Sequence, residues 1–232
     1  MSDILQNVTD IRAKIAAAAQ KSGRNPDDIT LIGVTKTIDA ERIKLLLNAG
    51  VTVLGENRVQ EIIPKYEALK NEPQPPEWHF IGHLQKNKVK YIIDKVKIIH
   101  SVDSFSLAQE IDKQAKKAGI IMKIMVEINI ANENSKFGLE LGEAFGFFEK
   151  LQKLENIEVC GIMCLAPFVD NGEKNRQYFC NMRKLLLDIS RKLSYYAKIQ
   201  GLSMGMSGDF EVAVEEGATL VRIGTALFNA RI

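Results

Sequence analysis

Eight times along these 232 residues a short apolar, β-branched run is followed by a stretch with helical periodicity. The strand-like runs are Asp28-Ile-Thr-Leu-Ile-Gly-Val-Thr-Lys36, Val51–Leu54, Trp78–Gly82, Ile98–His100, Met122–Asn129, Glu158–Met163, Gly201–Met204 and Thr219–Ile223. Between them the spacing predicts helices over Asp39–Leu47, from Val59, over Gln85–Asp94, over Ser104–Ala118 with Asp103 or Ser104 as N-cap, over Leu141–Leu154, over Asn175–Tyr195, over Asp209–Glu216, and from Thr225. Strands separated by helices must run parallel, because only a crossover returns the chain to the same end of the sheet. Eight such units in this length close most naturally into a (β/α)8 barrel of the TIM type. A doubly wound open sheet is the competing arrangement. It is disfavoured because no Gly-x-Gly-x-x-Gly or Gly-x-x-x-x-Gly-Lys follows a strand.

Ahead of the first unit, Ile4, Leu5, Val8, Ile11 and Ile15 recur at three- and four-residue spacing up to Gly23, predicting an extra N-terminal amphipathic helix with a glycine cap. Glu72-Pro-Gln-Pro-Pro76 is the one linker-like stretch, and strand pattern resumes directly after it, so it reads as a surface loop inside a single domain spanning 1–232.

Composition narrows the function classes. With 46% hydrophobic residues the chain buries a large core, and a formal charge of +2 from 31 basic and 29 acidic residues leaves no field suited to nucleic acid. The densest cationic cluster, Lys86-Asn-Lys-Val-Lys90, reads as a solvated face, with contact to an anionic partner as the lesser alternative. Cys160, Cys164 and Cys180 show no paired Cys-x-x-Cys spacing, which argues against a disulfide framework or a zinc site and fits a reducing compartment. The N-terminus lacks the basic-then-apolar order of a signal peptide and no run of about 18 apolar residues is present, so a cytoplasmic, membrane-free protein is expected.

In a barrel the residues just past each strand share one rim, and chemistry concentrates there. That rim comprises Lys36, Glu56 and Asn57, Gly82 and His83, Ser101 and Asp103, Asn129, Met163, Ser203 to Ser207, and Arg222 to Thr225. Lys36 stands where the first strand turns into a helix. A lysine in a partly dry mouth offers its amine as a nucleophile toward a carbonyl. The last two units place Ser207-Gly-Asp209 and Gly224-Thr225 ahead of neighbouring helix starts, where exposed backbone N–H groups suit a phosphate. A nucleophilic lysine facing a phosphate cradle suggests a phosphorylated aldehyde held as a Schiff base. Pyridoxal 5′-phosphate meets this description, and so does a phosphosugar aldolase substrate.

Longer blocks carry a resemblance. Val34-Thr-Lys36-Thr, Gly55-Glu-Asn-Arg-Val-Gln-Glu61, Trp78-His-Phe-Ile-Gly-His-Leu-Gln-Lys-Asn-Lys88, Asn132-Glu-Asn-Ser-Lys-Phe-Gly138, Gly161-Ile-Met-Cys164, Leu202-Ser-Met-Gly-Met-Ser207 and Val221-Arg-Ile-Gly-Thr-Ala-Leu-Phe228 resemble the signature blocks of the pyridoxal phosphate homeostasis proteins, relatives of the N-terminal barrel of alanine racemase. The resemblance implies that Lys36 carries pyridoxal 5′-phosphate as a Schiff base, and that Ser207, Gly224 and Thr225 hold its phosphate. It implies further that Arg222 faces the pyridine nitrogen and that Asn57 and Met206 line the ring. Asn229 stands where the family more often has glycine.

An arginine beside the pyridine nitrogen keeps that nitrogen unprotonated, and the opposite-face base of alanine racemase comes from a second domain that a chain ending at Ile232 is not expected to carry. The family is regarded as a carrier or buffer of the cofactor without established catalysis, and no catalytic residue is assigned. A monomer that transiently meets pyridoxal-phosphate-dependent apo-enzymes is expected. The alternatives are a racemase-like pyridoxal-phosphate enzyme and a Schiff-base aldolase. Among the remaining groups, a His79–His83 metal pair is not expected, Cys160 and Cys164 are expected to share one strand face as buried apolar groups, Met204 and Met206 also suit plain core, Asp103 reads as a cap, and Lys136 is a loop cation without a derived role.

Overall fold

The computed structural model describes residues 2–133 and 135–229, so position 134 of the Asn132–Gly138 block and the end of the chain at Ile232 lie outside the described residues. Eight parallel strands form a closed barrel in sequence order: β1 (Thr30–Val34), β2 (Val53–Glu56), β3 (Glu77–Phe80), β4 (Ile98–Val102), β5 (Met122–Ile128), β6 (Ile157–Cys164), β7 (Gly201–Ser203) and β8 (Leu220–Ile223). β8 closes on β1 with Leu31 opposite Val221 and Gly33 opposite Ile223. The TIM-type fold expected from the alternation is therefore the fold observed.

The helices are α1 (Ser2–Lys21), α2 (Ala40–Asn48), α3 (Val59–Leu69), α4 (Phe105–Ala118), α5 (Ala144–Leu151), α6 (Arg176–Lys192), α7 (Phe210–Glu215) and α8 (Thr225–Phe228). α7 and α8 have only 6 and 4 residues, too little to cover the last strands. The 20-residue α1 supplies the missing cover. Its Ile4, Val8, Ile11 and Ile15 are buried, Asn7 Nδ2 donates to Leu227 O at 3.0 Å, and beyond its C-terminus Arg24 donates to Val214 O and Ala218 O.

Two predicted elements differ. The stretch Gln85–Asp94 forms a 3-10 helix over Lys86–Tyr91 instead of an α-helix. Val89, Ile92 and Ile93 are β-branched, and Lys86 and Lys90 repel at i,i+4, so the α form is poorly supported. The exposed Lys90 ammonium lies 4.9 Å from the Tyr91 ring centroid, which makes this cluster a solvated face. The β5–β6 register shifts between Ile124 and Met125, which pair with Val159 and Gly161, so β6 carries a bulge. The bulge reverses the side-chain parity along β6. Cys164 packs in the large core outside the barrel while Cys160 borders the small interior cluster of Ile32, Met125, Met163 and Leu220, so the two thiols occupy opposite faces, contrary to expectation. Burial pushes both thiols up to about 12, which leaves them inert.

Asn229 has φ 50°, a left-handed C-cap where asparagine is the best substitute for glycine. No helix among the described residues is long and apolar enough to cross a membrane.

Candidate functional site

At the C-terminal face of the barrel a cavity of about 570 Å³ opens among the loops after β1, β2, β3, β5, β6, β7 and β8. Lys36, Asn57, Met206, Ser207, Arg222, Gly224 and Thr225 all line it. The seven residues singled out from the sequence are thus brought together, although they are spread over almost 190 positions from Lys36 to Thr225.

Lys36 occupies a turn two residues beyond β1 and is half-buried. The turn is unusual because Thr37 has φ 63°, a conformation costly for a β-branched residue. It is held by Glu61 of α3, whose carboxylate accepts the Thr37 N–H at 2.7 Å. Burial pushes the Glu61 carboxyl up, but that N–H and Lys65 outweigh it and hold it below the usual range. Lys65 ties the assembly together, donating to Thr35 O at 2.7 Å, to Glu56 and to Glu61 at 3.1 Å. Glu56 is fully buried, and burial raises its carboxyl against the pull of Lys65 and Thr35. By contrast, Lys36 makes no hydrogen bond or ion pair with any of the described residues.

Asn57 follows β2 and its Oδ1 is buried with no donor. The loop after β3 passes so close that a Cβ on Gly82 would lie 2.2 Å from Asn57 O, so only glycine fits there. Arg222, on β8 and 3% exposed, donates from Nη2 to Cys164 O at 2.8 Å and from Nη1 to Ser203 Oγ. Burial lowers its pKa, yet a guanidinium stays charged at any physiological pH. The loop after β7 is fixed by Asp209, which accepts the Met206 N–H at 2.6 Å and the Asn175 amide at 2.8 Å. Ser207 Oγ accepts the Ala226 N–H at 3.3 Å, linking the two loops intended for an anion. Met206 lines the cavity and Met204 is fully buried, so of this pair only Met204 is core.

The remaining rim candidates resolve differently. Asp103 is not the cap of α4, because Ser104 occupies the N-cap position, and Asp103 Oδ2 stands 3.5 Å from His83 Nδ1. His83 stacks on Phe137 at 3.7 Å and His79 points into the barrel, and no cluster suited to a metal occurs among the described residues. Lys136 lines the cavity, its ammonium on Glu133 at 2.7 Å and Leu165 O at 3.3 Å. Sequence reasoning left it unplaced, and only its occurrence in a family-like block marked it. Glu127, 4% exposed on β5, was missed. Burial and then Asp103 push its carboxyl up to about 7, with Arg222 opposing.

Known proteins share this architecture. The family model "Alanine racemase, N-terminal domain" matches residues 7–231. The pyridoxal phosphate homeostasis protein of Aquifex aeolicus is 44% identical over 226 residues, covering 97% of each chain, and that of Escherichia coli K12 is 36% identical over 233 residues, covering 100% of this chain and 98% of the relative. Among solved structures, PipY of Synechococcus elongatus PCC7942 with PLP bound superposes with a TM-score of 0.84 at 30% identity, covering 97% of this chain and 99% of that one. An alanine racemase of Clostridium difficile superposes at 0.75 with 20% identity, covering 98% of this chain and 59% of the enzyme, and so shares the fold. Full-length identity at this level, on a barrel whose mouth gathers the same signature blocks, places the chain in the pyridoxal phosphate homeostasis protein family.

Proposed function

We propose that the chain binds pyridoxal 5′-phosphate in the C-terminal-face cavity and acts in intracellular vitamin B6 homeostasis as a carrier or buffer of the cofactor, without catalysing a reaction. The observation that carries this reading is the convergence of Lys36, unpaired among the described residues, the buried Arg222 and the Ser207–Gly224–Thr225 loops on one cavity. Similarity to PipY, whose structure holds PLP, supports it.

The residues present fit such a ligand. Asn57 Oδ1 is a buried acceptor awaiting a donor, Lys36 is uncommitted, and Gly208 beside Ser207 has open space around it. In this reading Lys36 holds the cofactor covalently through its aldehyde, Ser207, Gly224 and Thr225 hold its phosphate, Arg222 faces the ring nitrogen, and Asn57 and Met206 flank the ring. When bound, the cofactor supplies an electrophilic aldehyde conjugated to an electron-withdrawing ring. Arg222 keeps a proton off the ring nitrogen because two cations in contact repel, which weakens that withdrawal and favours storage over catalysis.

The test is the visible absorption of the purified protein mixed with pyridoxal phosphate, followed by borohydride reduction and peptide mapping. A yellow protein with a pyridoxyl group fixed on Lys36 supports the reading; a protein that stays colourless removes it. A cytoplasmic monomer that hands the cofactor to apo-enzymes belongs to the same proposal, and recovery of activity when loaded protein is mixed with such an apo-enzyme tests it. A second, racemase-like reading needs a proton-transferring group at the cavity, and Glu127, whose carboxyl burial pushes up to about 7, is not among the residues that line it. Loss of optical activity from L-alanine would establish that alternative.

A further inference from the structure

The barrel interior is not wholly apolar. Glu77 Oε1 lies 3.0 Å from His79 Nε2, His79 Nδ1 lies 2.9 Å from His100 Nε2, and His100 Nδ1 lies 3.0 Å from Ser203 Oγ, which accepts from Arg222 Nη1. The row crosses the barrel from the N-terminal face, where the Glu77 side chain is 46% exposed, to the cavity. His79, His100, Ser203 and Arg222 are all buried, at 2%, 0%, 0% and 3% exposure. Two histidines in a barrel core are costly unless every nitrogen is satisfied.

The ends of the row dictate where its protons sit. Arg222 only donates, so Ser203 Oγ must accept from it. An ionised carboxylate only accepts, so His79 Nε2 must carry a proton toward Glu77. The contact with His79, then Lys97 and Lys123, outweighs burial and holds the Glu77 carboxyl below its usual range, which keeps it ionised. His100 is pressed toward its neutral form by burial, then by His79 and Arg222. A neutral His100 that donates from Nε2 to a bare His79 Nδ1 leaves its own Nδ1 to accept the Ser203 hydroxyl. Every donor then points from the arginine toward the carboxylate, and no polar atom in the row is left over. The opposite order would leave the Ser203 proton without a partner in the row.

We propose that Ser203, His100, His79 and Glu77 are positioning residues for Arg222: a one-directional hydrogen-bonded wire that fixes its guanidinium at the cavity floor and couples it to a carboxylate on the far face of the barrel. The proposal rests on the reading of Arg222 as the group facing the cofactor's ring nitrogen. The wire gives Arg222 a distant counter-charge, so no wire carboxylate contacts the guanidinium at the site. Other charged groups around the row are few: Lys97 and Lys123 act on Glu77, and Glu127 and Asp209 act on Arg222.

The first experiment needs no cofactor. In the histidine-labelled, cofactor-free protein near neutral pH, long-range proton–nitrogen correlation spectra should show His79 and His100 both protonated on Nε2 and bare on Nδ1. The exposed substitution Glu77→Leu should then deprive the His79 Nε2 proton of its acceptor and move the His79 nitrogen signals while His100 keeps its tautomer. His100 protonated on Nδ1 in the wild type, or His79 signals unmoved by Glu77→Leu, would overturn the wire. In loaded protein, Glu77→Leu should displace the pH midpoint of the visible absorption although the residue lies across the barrel from the cavity, and an unmoved midpoint would likewise overturn the coupling. A wild type that takes up no cofactor would count against the binding reading alone, because the tautomers are read without it.

Discussion

Lys36 and Lys65 meet at the same strand end and the fold treats them oppositely. Lys65, with 11% of its side chain exposed, reaches back from α3 to the carbonyl preceding Lys36 and is neutralised by two carboxylates. Lys36, in the turn that Lys65 braces, has no partner among the described residues. A cation enclosed by its own counter-ions is spent on structure. One left unpaired beside a cavity, on a turn held at Thr37 φ 63°, is kept available for something that is not protein. Glu127 extends the contrast to an acid, since it is 4% exposed against 0% for Glu56 but, unlike Glu56 with Lys65, has no ion pair among the described residues.

The contrast can be broken experimentally. Lys36→Ala should abolish all borohydride-fixed pyridoxyl label while leaving weak phosphate-anchored binding, and should change unfolding free energy by no more than about 0.5 kcal/mol, since no hydrogen bond or ion pair among the described residues is lost. Retention of the label would show that Lys36 is not the anchor. Lys65→Met strands the Glu56 carboxylate in the interior and should cost about 3 kcal/mol or more in urea denaturation, whereas a cost near zero would mean that the pair is not structural.

Glu127→Gln tests the unpaired acid. Its carboxyl binds a proton more tightly folded, near 7, than the ordinary 4.5, so its contribution is full below about 4.5 and is lost as pH rises through about 7. Glutamine should flatten that slope and stabilise the protein above pH 7 by up to roughly 3 kcal/mol. Thermal unfolding across this window reads the difference. The smallest effect is expected of Thr37→Gly, which relieves the left-handed backbone and should raise stability by at most about 1 kcal/mol. Slower cofactor uptake despite that gain would show that the strained turn serves to present Lys36.

The architecture was readable in the residues because each unit is a local signal. Val, Ile and Leu runs bounded by helical periodicity mark parallel strands wherever they occur, and eight of them leave little choice of closure. The elements that departed did so where local signals conflict, as in the lysine-rich stretch around Val89 that settles as a 3-10 helix. The bulge at β6 has no marker in sequence beyond a glycine, so the facing of Cys160 against Cys164 was not readable.

The cavity shows the same division. Lys36, Asn57, Met206, Ser207, Arg222, Gly224 and Thr225 stand at strand ends, and strand ends in a closed parallel barrel converge whatever else the chain does. Which charges cancel there depends on side chains from different units meeting across the barrel, and pairing of that kind leaves no periodic trace. Glu61 on the Thr37 amide, Lys65 between two carboxylates, and a row of polar groups from Glu77 to Arg222 are all long-range pairings of this sort. Local patterning therefore specified the barrel and the residues around its mouth. Three-dimensional packing chose which of them stay free to bind.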